Sequence, residues 1–200
     1  LGVHFVFAPA PEEMYSKEEM ETAFEFDFNG LDEVMEGKMR PGHFNGVVQV
    51  VSRLFDFIQP TRAYFGEKDF QQLAIIRHMV ERSSMAERYT GLQIIGCPIV
   101  REQSGLAMSS RNERLSSQEK QTAIAISQTL FSSVEWAKSA TVEEVQQRVI
   151  DTINAVQGLE VEYYNIVDKT TLKPTNTFHN AVGCVTVYCG PVRLIDNIQY

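Results

Sequence analysis

Apolar positions along the first hundred residues alternate between two periods. Residues 2–8 form a short run of β-branched and aromatic side chains closed by Pro9 and Pro11, the pattern of a strand buried on both faces. From Phe44 onward Val47, Val48, Val51, Leu54, Phe55 and Ile58 recur at helical spacing, and Pro60 stops the series, which predicts a helix. Residues 63–65 then read as a short strand, and residues 70–80 as a second helix marked by Leu73, Ile76, Met79 and Val80. The apolar "LQIIGCPIV" of residues 92–100 makes a further strand. Strand, helix, strand, helix, strand predicts a parallel sheet with helical crossovers.

Beyond residue 100 the texture changes. "REQSGLAMSSRNERL" is polar and loop-like, and "SSQEKQTAIAISQTLFSSVEWAK" and "TVEEVQQRVIDTINAVQ" follow as two helices. Ser116 with Glu119 and Thr141 with Glu144 match the capping box, in which a hydroxyl and a carboxylate satisfy two orphan backbone donors reciprocally. Residues 161–167, 181–188 and 192–195 alternate as the strands of a small sheet. The expected division falls near residues 99–101, giving units 1–99 and 100–200.

Composition narrows the function classes. The chain has 200 residues, 44% of them hydrophobic and 22% charged, with a formal net charge of −8. That suits a packed globular protein and argues against nucleic acid as a partner, because a phosphate backbone calls for a broad basic footprint. An anionic ligand would have to be held by a few placed groups. Cys97, Cys184 and Cys189 cannot pair completely, and neither they nor the four histidines show metal-ligand spacing, so no metal site and a reducing, cytoplasmic setting are expected. No apolar run reaches membrane-spanning length. "LGVHFVFAPAP" has no initiator Met and enters directly on an expected strand, as though cut from something longer.

Three segments carry candidate chemistry. In "RAYFGEKDFQQL", Gly66, Glu67 and Lys68 fall at the carboxyl end of an expected parallel strand, where open α/β sheets place their ligands. The following helix offers free N–H groups and a positive dipole end, Lys68 adds a charge, and Lys68, Asp69 and Gln72 share one side of the first turn. The alternative is a solvated turn in which Asp69 starts the helix. In "GLAMSSRN", two hydroxyls and the Arg111 guanidinium can hold phosphoryl oxygens, or Ser110 and Glu113 can cap a short helix. In "RPGHFNGV", Pro41 and Gly42 shape a turn that presents Arg40 and His43 before a helix, as ligands or as structural groups. His4, His78 and His179 have weaker cases, on a buried strand, a helix surface and a polar loop.

Together "RPGHFNGV", "FGEKDFQQLAIIR", "CPIVRE", "GLAMSSRN" and the terminal "RLIDN" resemble, in order and spacing, the pantoate–β-alanine ligase family. The resemblance runs from Gly2 to the end of the chain. It implies a partial Rossmann-like nucleotidyltransferase domain with a second, smaller α/β domain that closes over the active site. It also implies a two-step reaction: pantoate attacks ATP to give pantoyl adenylate and pyrophosphate, and β-alanine then displaces AMP. ATP is the nucleotide substrate, Mg²⁺ serves the first step, and the partners are small molecules in a homodimer. Carried onto this sequence, Gly66, Glu67, Lys68, Asp69, Val100, Met108, Ser109, Ser110 and Arg111 are ATP-binding. Of these Lys68, Ser109 and Arg111 are catalytic, Gln72 binds pantoate, and Arg40 and His43 lie near the pocket. Residues 108–111 match a mobile loop analogous to the KMSKS loop of class I synthetases.

The family's HIGH-like motif is not matched, since no H-x-G-H pattern occurs in these 200 residues. The expectation is a truncated form of the ligase. Two rivals are a non-catalytic half-enzyme that only binds nucleotide or dimerises, and another class I-like adenylyltransferase. The hundred residues ending in "RLIDN" speak against the last.

Overall fold

The structure is a computed structural model and describes residues 2–22 and 24–200. Residues 2–10 are extended and largely exposed rather than a buried strand, with Phe5 94% exposed. The correction has a simple cause: an apolar run becomes a strand only where a sheet edge accepts its backbone, and residues 2–8 pair with no described strand. His4 is exposed with them. Leu1 lies outside the described residues.

Two short helices, α1 (Pro11–Met14) and α2 (Lys17–Glu21), lead into a loop and a third, α3 (Met35–Met39). The expected helix is α4 (His43–Ile58), begun at Gly42, whose φ of 78° suits a residue without Cβ. It buries Phe44, Val48, Ser52 and Phe55. Next come β1 (Arg62–Gly66), a 3₁₀ turn at Glu67–Asp69, α5 (Phe70–Glu81) and β2 (Gln93–Cys97). β1 and β2 pair in parallel, from Arg62 opposite Gln93 to Gly66 opposite Cys97. The strand expected over 92–100 stops at Cys97, before Pro98, whose nitrogen has no hydrogen to give a ladder. Asp69 stands at the start of α5 without a side-chain cap bond.

In the second half, α6 (Ser117–Trp136) and α7 (Val142–Asn154) open with the two expected capping boxes. They pack on an antiparallel sheet of β3 (Leu159–Asp168), β4 (Ala181–Cys189) and β5 (Val192–Gln199), in the order β3-β4-β5. β4 is buried almost throughout, and its period of two sorts its side chains between two cores. Ala181, Val185, Val187 and Cys189 face the α6–α7 core, whereas Val182 and Cys184 join the core of α4, α5, β1 and β2. One sheet therefore supplies both cores, and polar side chains on its first-half face point toward the turn after β1.

Candidate active site

The turn that raised the first expectation sits where the argument needs it. Gly66 ends β1, and Lys68 and Asp69 occupy the 3₁₀ turn that leads into α5. Facing them across a cleft of about 210 Å³ is the turn Ser110–Arg114, also 3₁₀. It is started by Ser109, whose hydroxyl accepts the N–H of Arg111 at 3.2 Å, so the cap is Ser109 and not Ser110. Arg40, His43, Lys68, Asp69, Gln72, Ser109, Ser110 and Arg111 all line this cleft. Segments about 25 to 70 residues apart in sequence thus converge on one space.

Four of the expected residues stand outside it. Gly66 and Glu67 lie on the far side of the turn, where Glu67 Oε2 accepts from Gln199 Nε2 at 3.2 Å. Val100 and Met108 are 66% and 54% exposed and pair with each other through Met108 N–H to the Val100 carbonyl at 2.9 Å.

The cleft is electrostatically mixed. Burial depresses the Lys68 ammonium below its ordinary range, although the carboxylates of Asp69 and Asp196 oppose this. Burial and the Arg40 guanidinium likewise lower His43, against the pull of Glu36 and Asp69. The Lys68 ammonium gains from an added anion. Cys184, buried in the cleft wall, is pushed up to about 12 by burial and by Glu36, so it stays a thiol.

Sequence reasoning missed the groups that hold these residues in place. Asn197 is 3% exposed and its Nδ2 donates to the carbonyls of Glu67 (2.8 Å) and Lys68 (3.1 Å), fastening β5 to the lysine turn. Asp196 takes a two-pronged bond from Arg101 at 2.7 and 2.9 Å. Arg101 also donates to the Gly105 carbonyl at 3.1 Å, which shapes the loop before Ser109. The signal was present in "RLIDN", where three polar residues interrupt a strand that packs against a core. Glu36 and Tyr163 line the cleft too, and no pattern marked them.

Comparison with known proteins identifies the family and the fold. The family model described as pantoate-beta-alanine ligase matches residues 1–199. The pantothenate synthetase of Phocaeicola vulgatus is 56% identical over 203 residues, covering 100% of this chain and 70% of the relative. A crystal structure of pantothenate synthetase from Thermus thermophilus superposes with a TM-score of 0.88 at 38% identity, covering 99% of this chain and 70% of the other. The ligase of Francisella tularensis, solved with β,γ-ATP and β-alanine, gives 0.61 at 32% identity over 84% of this chain and 55% of its own. The α/β fold, with a parallel sheet and a second, antiparallel one, is that of these Rossmann-like enzymes. With matches that run through every segment lining the cleft, the chain belongs to the pantoate–β-alanine ligase family.

Proposed function

We propose that the cleft is the ATP- and pantoate-facing part of an enzyme that condenses pantoate with β-alanine through pantoyl adenylate. The observation that carries this is the meeting of the Lys68 turn and the Ser109–Arg111 turn, one from each half, across a single cleft. A relative solved with a form of ATP and with β-alanine supports the same ligands.

In the first step a pantoate carboxylate oxygen bonds to the α-phosphorus while the bond to the bridging oxygen breaks and pyrophosphate leaves. Lys68 and Arg111 meet the negative charge that develops there, and the Ser109 and Ser110 hydroxyls donate short hydrogen bonds to phosphoryl oxygens. Gln72, on the first turn of α5, orients pantoate. In the second step the amine of β-alanine attacks the acyl carbon, AMP leaves with the bonding pair, and the amine loses a proton. His43, lowered below its ordinary value, is placed as a neutral imidazole near this chemistry. Magnesium, which the family resemblance implies for the first step, would be brought to the cleft by the phosphates of ATP.

Residues 1–99 and 100–200 act as nucleotide-binding and closing parts of a cytoplasmic homodimer, as the family resemblance implies. The 200 residues hold no H-x-G-H pattern.

Pantoate-dependent exchange of labelled pyrophosphate into ATP tests the reading, followed by β-alanine-dependent release of AMP. The full-length protein should show both. Exchange driven by a nucleotide or a phosphopantetheine, and not by pantoate, would assign the cleft to a different adenylyltransferase. Saturable ATP binding without any exchange would leave a nucleotide-binding half-enzyme.

A further inference from the structure

We infer that Glu36 is a positioning residue for the adenylation step, acting through Arg193 on Arg111. The inference rests on the proposed function and assigns a role to a carboxylate outside the recognised motifs.

The backbone around Glu36 is held more tightly than a surface acid requires. Met35 has a φ of 44°, in the left-handed region that a branched or bulky residue enters only at a cost. A Cβ on Gly37 would lie 2.0 Å from the carbonyl oxygen of Asp32, so only glycine allows that approach. Buried Gln71 fastens the segment from below. Its Nε2 donates to the carbonyls of Leu31 (2.7 Å) and Val34 (2.9 Å), and its Oε1 accepts the N–H of Glu36 at 2.9 Å. Strain persists where the surroundings over-determine it, and here three bonds from the single Gln71 side chain fix the loop into α3 and its first turn.

The carboxylate is equally committed. It accepts from Tyr163 Oη at 2.8 Å, Thr186 Oγ1 at 3.1 Å, and Arg193 Nη1 and Nη2 at 2.8 and 2.6 Å. Burial pushes its pKa up, but the bonds from Arg193 and Tyr163 outweigh burial and keep it below the usual range. Three of the four donors crowd Oε1 and Arg193 Nη1 takes Oε2, so the carboxylate is held in place chiefly by Arg193, Tyr163 and Thr186. Its effect must pass through what it holds.

What it holds leads directly to the cleft. Arg193 is clamped between Glu36 and Glu162, and its own carbonyl accepts Arg111 Nη1 at 3.1 Å. Arg40, another cation of the cleft, stands 3.8 Å from Glu36 Oε2. The Arg111 guanidinium thus waits on the neutral backbone carbonyl of the residue whose side chain Glu36 holds. A phosphate oxygen is the stronger partner, so Arg111 transfers to ATP from a fixed starting point.

The opposing view is that Glu36–Arg193 only joins the two halves. A double-mutant comparison in the full-length protein separates the two, with pantoate-dependent pyrophosphate exchange as readout. Glu36→Gln should lower the exchange kcat by about 10–100-fold, the scale on which a small misplacement of a catalytic group acts, with the KM for ATP changed by less than about threefold. In the Arg111→Ala background the same substitution should cost no more than about a further twofold, because the route of its action is already gone. Rate losses that multiply in the two backgrounds would overturn the inference, as would an unchanged kcat in a destabilised protein.

Should Glu36→Gln fail to fold, Tyr163→Phe removes one of the four bonds and must give a smaller loss, in kcat and through Arg111; equal losses in both backgrounds overturn the inference. Absence of pantoate-dependent exchange in the unmodified protein would overturn the functional reading and the inference with it. Exchange with multiplying losses overturns the inference alone.

Discussion

Replacing Asn197 by aspartate changes one NH₂ into an oxygen and tests how β5 holds the lysine turn. The native amide is 3% exposed and donates to two carbonyls, those of Glu67 and Lys68. Each neutral bond is worth about 0.5–1.5 kcal/mol net, so Asn197→Ala should cost about 1–3 kcal/mol. Asn197→Asp keeps the shape but turns a buried anion toward two carbonyl oxygens, and an uncompensated buried charge costs about 3–5 kcal/mol. At pH 7.5 the aspartate variant should therefore be the less stable of the two by about 2 kcal/mol. The pH dependence follows from the sign of the shift. The introduced carboxyl has a folded pKa above its unfolded value of about 3.9, so the folded state takes up the proton and stability rises as pH falls toward that value. Near pH 4.5 the protonated group can donate once, and the difference from the alanine variant should shrink below about 1 kcal/mol. Urea denaturation at the two pH values measures this. An aspartate variant as stable as the alanine one at pH 7.5, or a difference that ignores pH, would refute the assignment of Asn197 as the clasp.

Other outcomes follow from single contacts. Lys68→Ala should slow adenylation by the ~1.5–3 kcal/mol of a lost charge-assisted bond while stability moves by about 0.5 kcal/mol; early melting with normal exchange would make Lys68 structural. Gly37→Ala sets a Cβ 2.0 Å from the Asp32 carbonyl oxygen, so urea denaturation should show a loss of about 1–3 kcal/mol or more. The His43 imidazole, flanked by Arg40, Glu36, Asp69 and Arg111, should titrate below its ordinary 6.5 by NMR. Because its folded pKa is depressed, its contribution to stability is full above 6.5 and falls as pH drops from there to the folded value. Amides of residues 104–112 should gain protection from hydrogen exchange when ATP binds, and Arg111→Lys should weaken ATP binding without altering the fold, since lysine lacks the planar fork.

Local chemistry was legible wherever the cause was local. The capping boxes at Ser116 and Thr141, the helical spacing from Val47 to Ile58 and the strand-to-helix seam at Gly66 each depend on neighbours within a few residues. Glu36 was invisible for the opposite reason. "DEVMEGKMR" looks like any solvated acidic stretch, and the partners that make Glu36 unusual lie 127, 150 and 157 residues further along. The expected strand at residues 2–8 shows the same dependence on distant partners. Its apolar pattern is real, but a pattern states only which faces want burial, and the surface that would receive them has to come from elsewhere in space.

The motif "RLIDN" was counted as a mark of resemblance, yet its residues explain the cleft better than its catalytic candidates do. Along one strand Arg193 reaches Glu36 and Arg111, Asp196 reaches Arg101, and Asn197 reaches the carbonyls of the lysine turn. β5 thus sets, in one rigid element, the relative positions of three segments that are far apart in sequence. A closing motion that swung the whole second half away would have to break the contacts that cross between the halves together, the Asn197 bonds to the lysine turn and the bidentate Arg193–Glu36 pair, whose side chains are no more than 17% exposed. Movement of the loop before Ser109 breaks far less. Its tip at residues 102–104 is exposed, and the Arg111 bond to a neutral carbonyl is the weakest of its ties to β5. On the proposed function, the lysine turn and β5 then form the fixed side of the cleft, and Ser109, Ser110 and Arg111 the side expected to answer to ATP.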